Sequence, residues 1–261
     1  MSSGRWRRRW QLVREPDELA DGIAVVSAAK RITVLSGAGV STDSGIPDFR
    51  GANGLWTRDP KAERLSSFEA YRDDPEVRRA SWQARLTHPV WSAEPNDAHK
   101  ALVGLERAGR LVSLVTQNID GLHQRAGSES VLELHGSMRE TVCLQCNERR
   151  PMSEALERVA DGNPDPSCRV CGGILKSATI SFGQPLDVGV LTAARDAVLS
   201  SDLMLAVGSS LSVQPAAGLV GLAARAGAAV VICNASETPY DDMAAIVLRD
   251  PLGEVLPALV G

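Results

Sequence analysis

Two cysteine pairs, Cys143-x-x-Cys146 and Cys168-x-x-Cys171, stand 21 residues apart. Pairs at this spacing can place four thiolates at the corners of a tetrahedron about one zinc ion. Cysteine fills all four positions and leaves no coordination site for water, so the predicted metal is structural. The competing reading is two redox pairs or free thiols. Gly172 and Gly173 suit the knuckle of a zinc ribbon, and the ion would replace the apolar core that so short a segment cannot build. Cys233 lies in an apolar run and reads as a small buried side chain.

The other reactive side chains fall after apolar runs. Thr116-Gln117-Asn118-Ile119-Asp120-Gly121-Leu122-His123 follows Leu111–Val115. Amides suit an amide or sugar ligand, and a carboxylate accepts from a carboxamide or hydroxyl. Asn118 or Asp120 as the cap of a helix is the plainer alternative. His135 and Gly136 follow Val131–Leu134, and the glycine leaves one side of the imidazole open. Of the other histidines, His88 and His99 lie in polar stretches and read as surface residues, while His123 rivals His135 as a base. Gly37-Ala38-Gly39 ends the run Ile32–Leu35, where glycines let backbone N–H groups approach a pyrophosphate. The dehydrogenase fingerprint fails: Thr42 replaces its third glycine, and no strand ending in an acidic residue follows about twenty residues on.

These residues need a scaffold, and the hydrophobic pattern describes one. A helix is predicted over Pro16–Lys30, opened by Pro16 and acidic Asp17 and Glu18. Strands are predicted at Ile32–Leu35, Leu111–Val115, Val131–Leu134, Leu203–Val207, Ala229–Cys233 and Ala245–Leu248, and helices at Ala98–Arg107 and Ala216–Ala226, the last stopped by Gly227. Apolar strands alternating with helices predict an α/β fold with a mostly parallel sheet covered on both faces. Ligands of such sheets bind beyond the strands' carboxyl ends. Residues 52–97 are rich in charge, Pro and Trp and read as short helices and loops.

The 261-residue chain is 44% hydrophobic but only 4% aromatic, so aliphatic side chains must pack its core. Its net charge of −4, from 28 basic and 32 acidic residues, gives no general attraction to nucleic acid. Arg5, Arg7, Arg8 and Arg9 read as a solvated terminus rather than a docking arm. No apolar run makes a signal peptide or approaches the roughly eighteen residues of a membrane span. Five cysteines in this length do not suggest a disulfide framework, and a cytoplasmic protein is expected.

Three segments in order resemble one family. Gly37 to Gly51, ending Asp48-Phe49-Arg50-Gly51, resembles the sirtuin cofactor loop, and Asn53-Gly54-Leu55-Trp56 resembles the segment after it. Glu133-Leu134-His135-Gly136 follows and matches the sirtuin catalytic motif. The resemblance spans about residues 17 to 258. It implies a bacterial-type sirtuin, an NAD-dependent protein-lysine deacetylase or deacylase, with NAD as co-substrate, one structural zinc and acyl-lysine proteins or peptides as partners. It implies a Rossmann-like domain from residues 1–51, 98–138 and 177–261. The smaller domain would combine a helical part, 52–97, with a zinc-binding insertion, 139–176.

The implied chemistry starts with loss of nicotinamide. The acyl carbonyl oxygen then attacks ribose C1′, and His135 acts as general base on a ribose hydroxyl. O-acyl-ADP-ribose and lysine are released. Asn118 and Asp120 would hold ribose and carboxamide, with Gln117 beside them. Gly37, Ala38, Gly39, Ser41, Asp48, Phe49, Arg50 and Trp56 would complete this end of the cofactor site, Phe49 shielding the reactive face. Gly208, Ser209 and Ser210, with Ser209 where Thr is commoner, would form the ribose-phosphate loop, and Asn234, Ala235, Ser236 and Leu252 the adenosine end.

Ser181-Phe182-Gly183 resembles the segment that pairs with substrate peptide, although Gln184 replaces the commoner Glu and Ser177 stands where Pro is usual. Trp82 and Arg85 align with the Tyr and Arg that hold an acyl carboxylate in the desuccinylating branch. Trp82 in place of Tyr implies a preference for acetyl over succinyl, unless Arg85 only lies on a solvated helix face. A mono-ADP-ribosyltransferase shares the first half of this chemistry and is the alternative enzyme. A zinc-ribbon nucleic-acid binder is the alternative of another class, and the acidic charge weighs against it.

Overall fold

The computed structural model describes residues 18–49, 51, 54–58 and 64–261; Arg50 and the basic cluster Arg5–Arg9 lie outside them, as does the Trp56 side chain. Among the described residues the first helix, α1 (Glu18–Ala28), leads into β1 (Ile32–Ser36), whose five residues are all buried. A 3-10 segment, Ala38–Ser44, follows immediately. The next stretch holds α2 (Leu55–Arg58), α3 (Phe68–Asp73) and α4 (Pro75–Leu86). The Ser67 and Asp74 side chains cap α3 and α4, and Pro75 opens α4 where its missing N–H costs no bond.

The sheet resumes with α5 (Asp97–Arg107), β2 (Leu111–Thr116), α6 (Leu122–Ala126) and β3 (Val131–Glu133). A separate unit follows: β4 (Gly136–Cys143), β5 (Arg149–Pro151), α7 (Met152–Ala160) and β6 (Leu175–Thr179). The chain then closes with α8 (Val188–Leu199), β7 (Leu203–Val207), α9 (Gly218–Arg225), β8 (Ala229–Cys233), β9 (Ile246–Leu248) and α10 (Leu252–Val260).

The large sheet has the order β3-β2-β1-β7-β8-β9 and every pairing in it is parallel. The order reverses between β1 and β7, and open parallel sheets bind ligands in the crevice beyond the carboxyl ends of the strands at such a point. One face packs on α1, α5 and α10 through residues such as Val26, Leu102 and Leu256, and the other on α8 and α9 through Val198 and Val220.

The small sheet, β5-β4-β6, is antiparallel. Its core joins Cys143, Met152, Val159, Cys168 and Leu175 to Trp82 of α4, so the helical stretch and the cysteine insertion share one core. β4 runs from Gly136 to Cys143 and β6 from Leu175 to Thr179, so both strands link the histidine end of the chain to the cysteine segment. No helix among the described residues is long and apolar enough to cross a membrane.

Candidate active site

Two loops meet where the sheet order reverses. Gly37 N–H donates to Val207 O at 2.9 Å and Gly39 N–H to Gly208 O at 2.8 Å. A Cβ on Gly37 would lie 2.7 Å from Gly208 O, and one on Gly39 would lie 2.9 Å from Gly208 Cα. Gly208 itself has φ +61°, a conformation costly for other residues. The glycines are therefore needed for one loop to cross the other. The Gly37 and Gly39 N–H groups are bonded within the protein.

The segment after β2 is bound to this crossing. Asn118 Nδ2 donates to Gly37 O at 3.1 Å and to Ser41 Oγ at 3.2 Å, which uses both its protons and leaves Oδ1 as its remaining acceptor. Ser41 Oγ donates to Asp120 Oδ2 at 2.7 Å, and Leu122 N–H donates to Oδ1 at 2.8 Å. Asn118 and Asp120 are both buried. Asp120 thus holds the turn into α6, as the capping alternative expects, and also anchors Ser41.

Gln117 links the crevice to the histidine. Its Nε2 donates to Ser209 Oγ at 2.8 Å, and its main-chain oxygen accepts from His135 Nδ1 at 2.9 Å. A carbonyl accepts only from an N–H, so Nδ1 carries the ring proton and Nε2 keeps its lone pair. Burial lowers the His135 pKa below its ordinary value, against the weaker upward pull of the Gln117 carbonyl. The ring is therefore a neutral base near pH 7.

The other histidines are not alternatives. His123 is 1% exposed, with Nε2 on Ser36 Oγ at 2.8 Å, and burial pushes its pKa down to about 3. His99 was expected on the surface but is wholly buried: its ring turns back onto the Asn96 cap of α5, and burial lowers its pKa to about 4. His88 is half-buried and accepts Val90 N–H, capping the 3-10 turn Pro89–Trp91.

The remaining cofactor candidates line the carboxyl ends of the neighbouring strands. Ser210 Oγ pairs with Ser212 Oγ at 2.8 Å. Asn234 follows β8 and its Nδ2 donates to Ser236 O, while Ala235 and Ser236 are exposed. Leu252 opens α10 and packs on the core at its edge. Asp48 accepts Gly51 N–H at 2.9 Å and closes its loop, and Phe49 is exposed beside it. Amides, hydroxyls and one carboxylate arrayed around a glycine crossing fit a sugar and carboxamide ligand such as NAD.

Two substrate candidates need correction. Trp82 is wholly buried beside Cys143 and Met152, so its indole has no surface to offer an acyl group. The half-buried Arg85 does not lie on a solvated face: Nη1 donates to Ser81 O at 3.0 Å and Nη2 to Ser177 Oγ at 2.8 Å. Phe182 exposes its ring, but its main chain already pairs with Ser66 and Phe68. Ser181 N–H is taken by Gln184 Oε1, and Gly183 turns the chain at φ +88°.

At the far end of the small unit the sulfur atoms of Cys143, Cys146, Cys168 and Cys171 all lie within 4.8 Å of one another. Cys143 and Cys171 are 3.4 Å apart and Cys146 and Cys168 3.7 Å. A tetrahedral ion with Zn–S bonds of about 2.3 Å sets edges of about 3.8 Å, so the cluster fits zinc. The N–H groups of Gln145 and Cys146 point at Cys143 Sγ, and that of Val170 at Cys168 Sγ, as thiolate ligands require.

Known proteins resemble this chain in sequence and fold. The Sir2 family model matches residues 37–215. The chain is 52% identical over 231 residues to NAD-dependent protein deacetylase 2 of Streptomyces coelicolor, covering 88% of this chain and 96% of that one. It is 42% identical over 252 residues to an NAD-dependent protein deacetylase of Sulfolobus acidocaldarius, covering 95% of each. A Sir2 structure solved with p53 peptide and NAD+ superposes with a TM-score of 0.82 at 32% identity, over 91% of this chain and 95% of that one. The glycine crossing, the histidine held on Gln117 and the four-cysteine cluster therefore sit in a chain most of whose length follows one known pattern: it belongs to the Sir2 family.

Proposed function

We propose that the chain is an NAD-dependent protein-lysine deacylase, acting on acyl-lysine peptides in the cytoplasm, with His135 as its general base. One observation supports the role of His135: the Gln117 carbonyl fixes its tautomer and leaves Nε2 unprotonated. NAD, when bound, supplies the nicotinamide leaving group and the ribose that receives the acyl group. Nε2 of His135 would take a proton from a ribose hydroxyl. Asn118 Oδ1 and the remaining lone pairs of Asp120 would orient ribose and carboxamide, and Ser209 and Ser210 the ribose-phosphate portion. Gly37, Ala38 and Gly39 shape the crevice floor. Asn234, Ala235, Ser236 and Leu252 would border the adenosine, while Phe49, exposed at the loop tip, would exclude water. The four thiolates would hold zinc as a structural element of the small unit, remote from the proton transfer.

Product analysis tests the reading. Acetyl-lysine peptide and labelled NAD should give deacetylated peptide, nicotinamide and free O-acetyl-ADP-ribose in equal amounts. Label that ends on protein instead would establish the ADP-ribosyltransferase alternative.

A further inference from the structure

His123 is buried in α6. Its Nε2 lies 2.8 Å from Ser36 Oγ, and Ser36 Oγ donates its single proton to Thr116 Oγ1, also at 2.8 Å. Nε2 must then be protonated and donate to Ser36. Thr116 Oγ1 also accepts the Asn118 N–H at 3.0 Å. The bonds form one directed chain: His123 Nε2–H to Ser36, Ser36 to Thr116, with Asn118 donating from the far side. It joins the last residues of β1 and β2 to α6. Asn118 Nδ2 donates to Gly37 O, next to Ser36, so the chain closes around the glycine crossing.

The other ring nitrogen, Nδ1, is buried with no hydrogen-bond partner among the described residues, and the ring centroid lies 4.9 Å from that of His99. An orphaned buried acceptor destabilises the fold, and an apolar side chain would fill the same space without that cost. The reverse tautomer would bury an unpartnered N–H and reverse the Ser36 bond. What the imidazole contributes that an apolar residue lacks is the Nε2 proton.

We infer that His123 is a positioning residue for NAD. Its Nε2–H sets the direction of a hydrogen-bond chain through Ser36 and Thr116 that fixes the Asn118 main chain, and with it Asn118 and Asp120. The inference rests on the reading above, in which those two side chains face the nicotinamide ribose. Burial holds the ring neutral, so the chain keeps its direction throughout the neutral pH range.

Three measurements test it. Histidine-labelled wild-type chain, followed by nitrogen NMR, should show His123 protonated at Nε2 and bare at Nδ1, unchanged to about pH 5. His123→Leu removes the donor, whereas His123→Gln keeps an N–H within reach of Ser36. Calorimetry with ADP-ribose and steady-state kinetics should show His123→Leu losing about tenfold in affinity for ADP-ribose and in KM for NAD, the worth of about one hydrogen bond. The peptide KM should stay unchanged, and His123→Gln should remain within about threefold of wild type. The reverse tautomer, a folded His123→Leu variant with wild-type NAD affinity, or His123→Gln as impaired as His123→Leu would overturn the inference. If His123→Leu does not fold, Ser36→Ala breaks the middle link with the ring intact and must weaken ADP-ribose alike. A wild-type chain that binds no ADP-ribose would refute the proposed function instead, and the NMR result would stand apart from it.

Discussion

The main-chain oxygen of Gln117 accepts from His135 Nδ1 at 2.9 Å while the Gln117 side chain donates to Ser209 at 2.8 Å. One residue thereby holds the imidazole and reaches the loop after β7. Since burial lowers the His135 pKa, the base form persists to lower pH than it would for a solvent-exposed imidazole. Activity should therefore be full above the ordinary value of about 6.5 and fall only below it. A pH profile of kcat/KM with a non-titrating acetyl peptide checks this. An acidic limb centred above pH 7 would contradict the geometry.

The glycine crossing leaves no room for a methyl group. Gly39→Ala would set its Cβ 2.9 Å from Gly208 Cα, a backbone atom that cannot swing away. It should cost about 1–3 kcal/mol of stability and weaken NAD binding. Thermal unfolding together with ADP-ribose titration would show both effects, and a variant equal to wild type in both would mean that the loops do not cross in this way.

The purified chain should carry one zinc. Cys143 belongs to the same core as Trp82, so loss of the ion should loosen α4 as well as the insertion. Cys143→Ala is expected to lower the melting temperature and the zinc content together. Wild-type melting with no activity would show that the metal is not structural.

Acetyl-lysine should be used about 10- to 100-fold better than succinyl-lysine, the cost of a missing partner to a charged group. Trp82 is sealed in the core, and both terminal nitrogens of Arg85 are engaged by Ser81 and Ser177. Matched peptides compared by kcat/KM decide it. Faster succinyl turnover would mean that Arg85 leaves Ser177 to meet the carboxylate.

Much of this was legible in the chain itself. The buried parallel strands are continuous apolar runs, and the glycines, His135 and the cysteines follow strand ends or fixed spacings that local pattern reveals. The small sheet was not legible: Arg139, Glu140 and Thr141 in β4, and Lys176, Ser177 and Thr179 in β6, break the apolar signal of a strand. Trp82 was misplaced because alignment gives a position along α4 but not which face meets the zinc unit. His99 was misplaced because its polar neighbours hid a ring folded back under its own helix cap. The Ser36–His123 bond joins residues 87 apart in sequence, which no local pattern reports.

The most direct test of the account is His135→Ala, assayed for deacetylation and for NAD affinity in the same preparation. The predicted result is a rate lower by about 10²- to 10⁴-fold, the usual cost of losing a general base, with NAD affinity within a few-fold of wild type. A variant that keeps half its activity would contradict the account, because the proton would then be leaving the ribose by a route that does not involve His135.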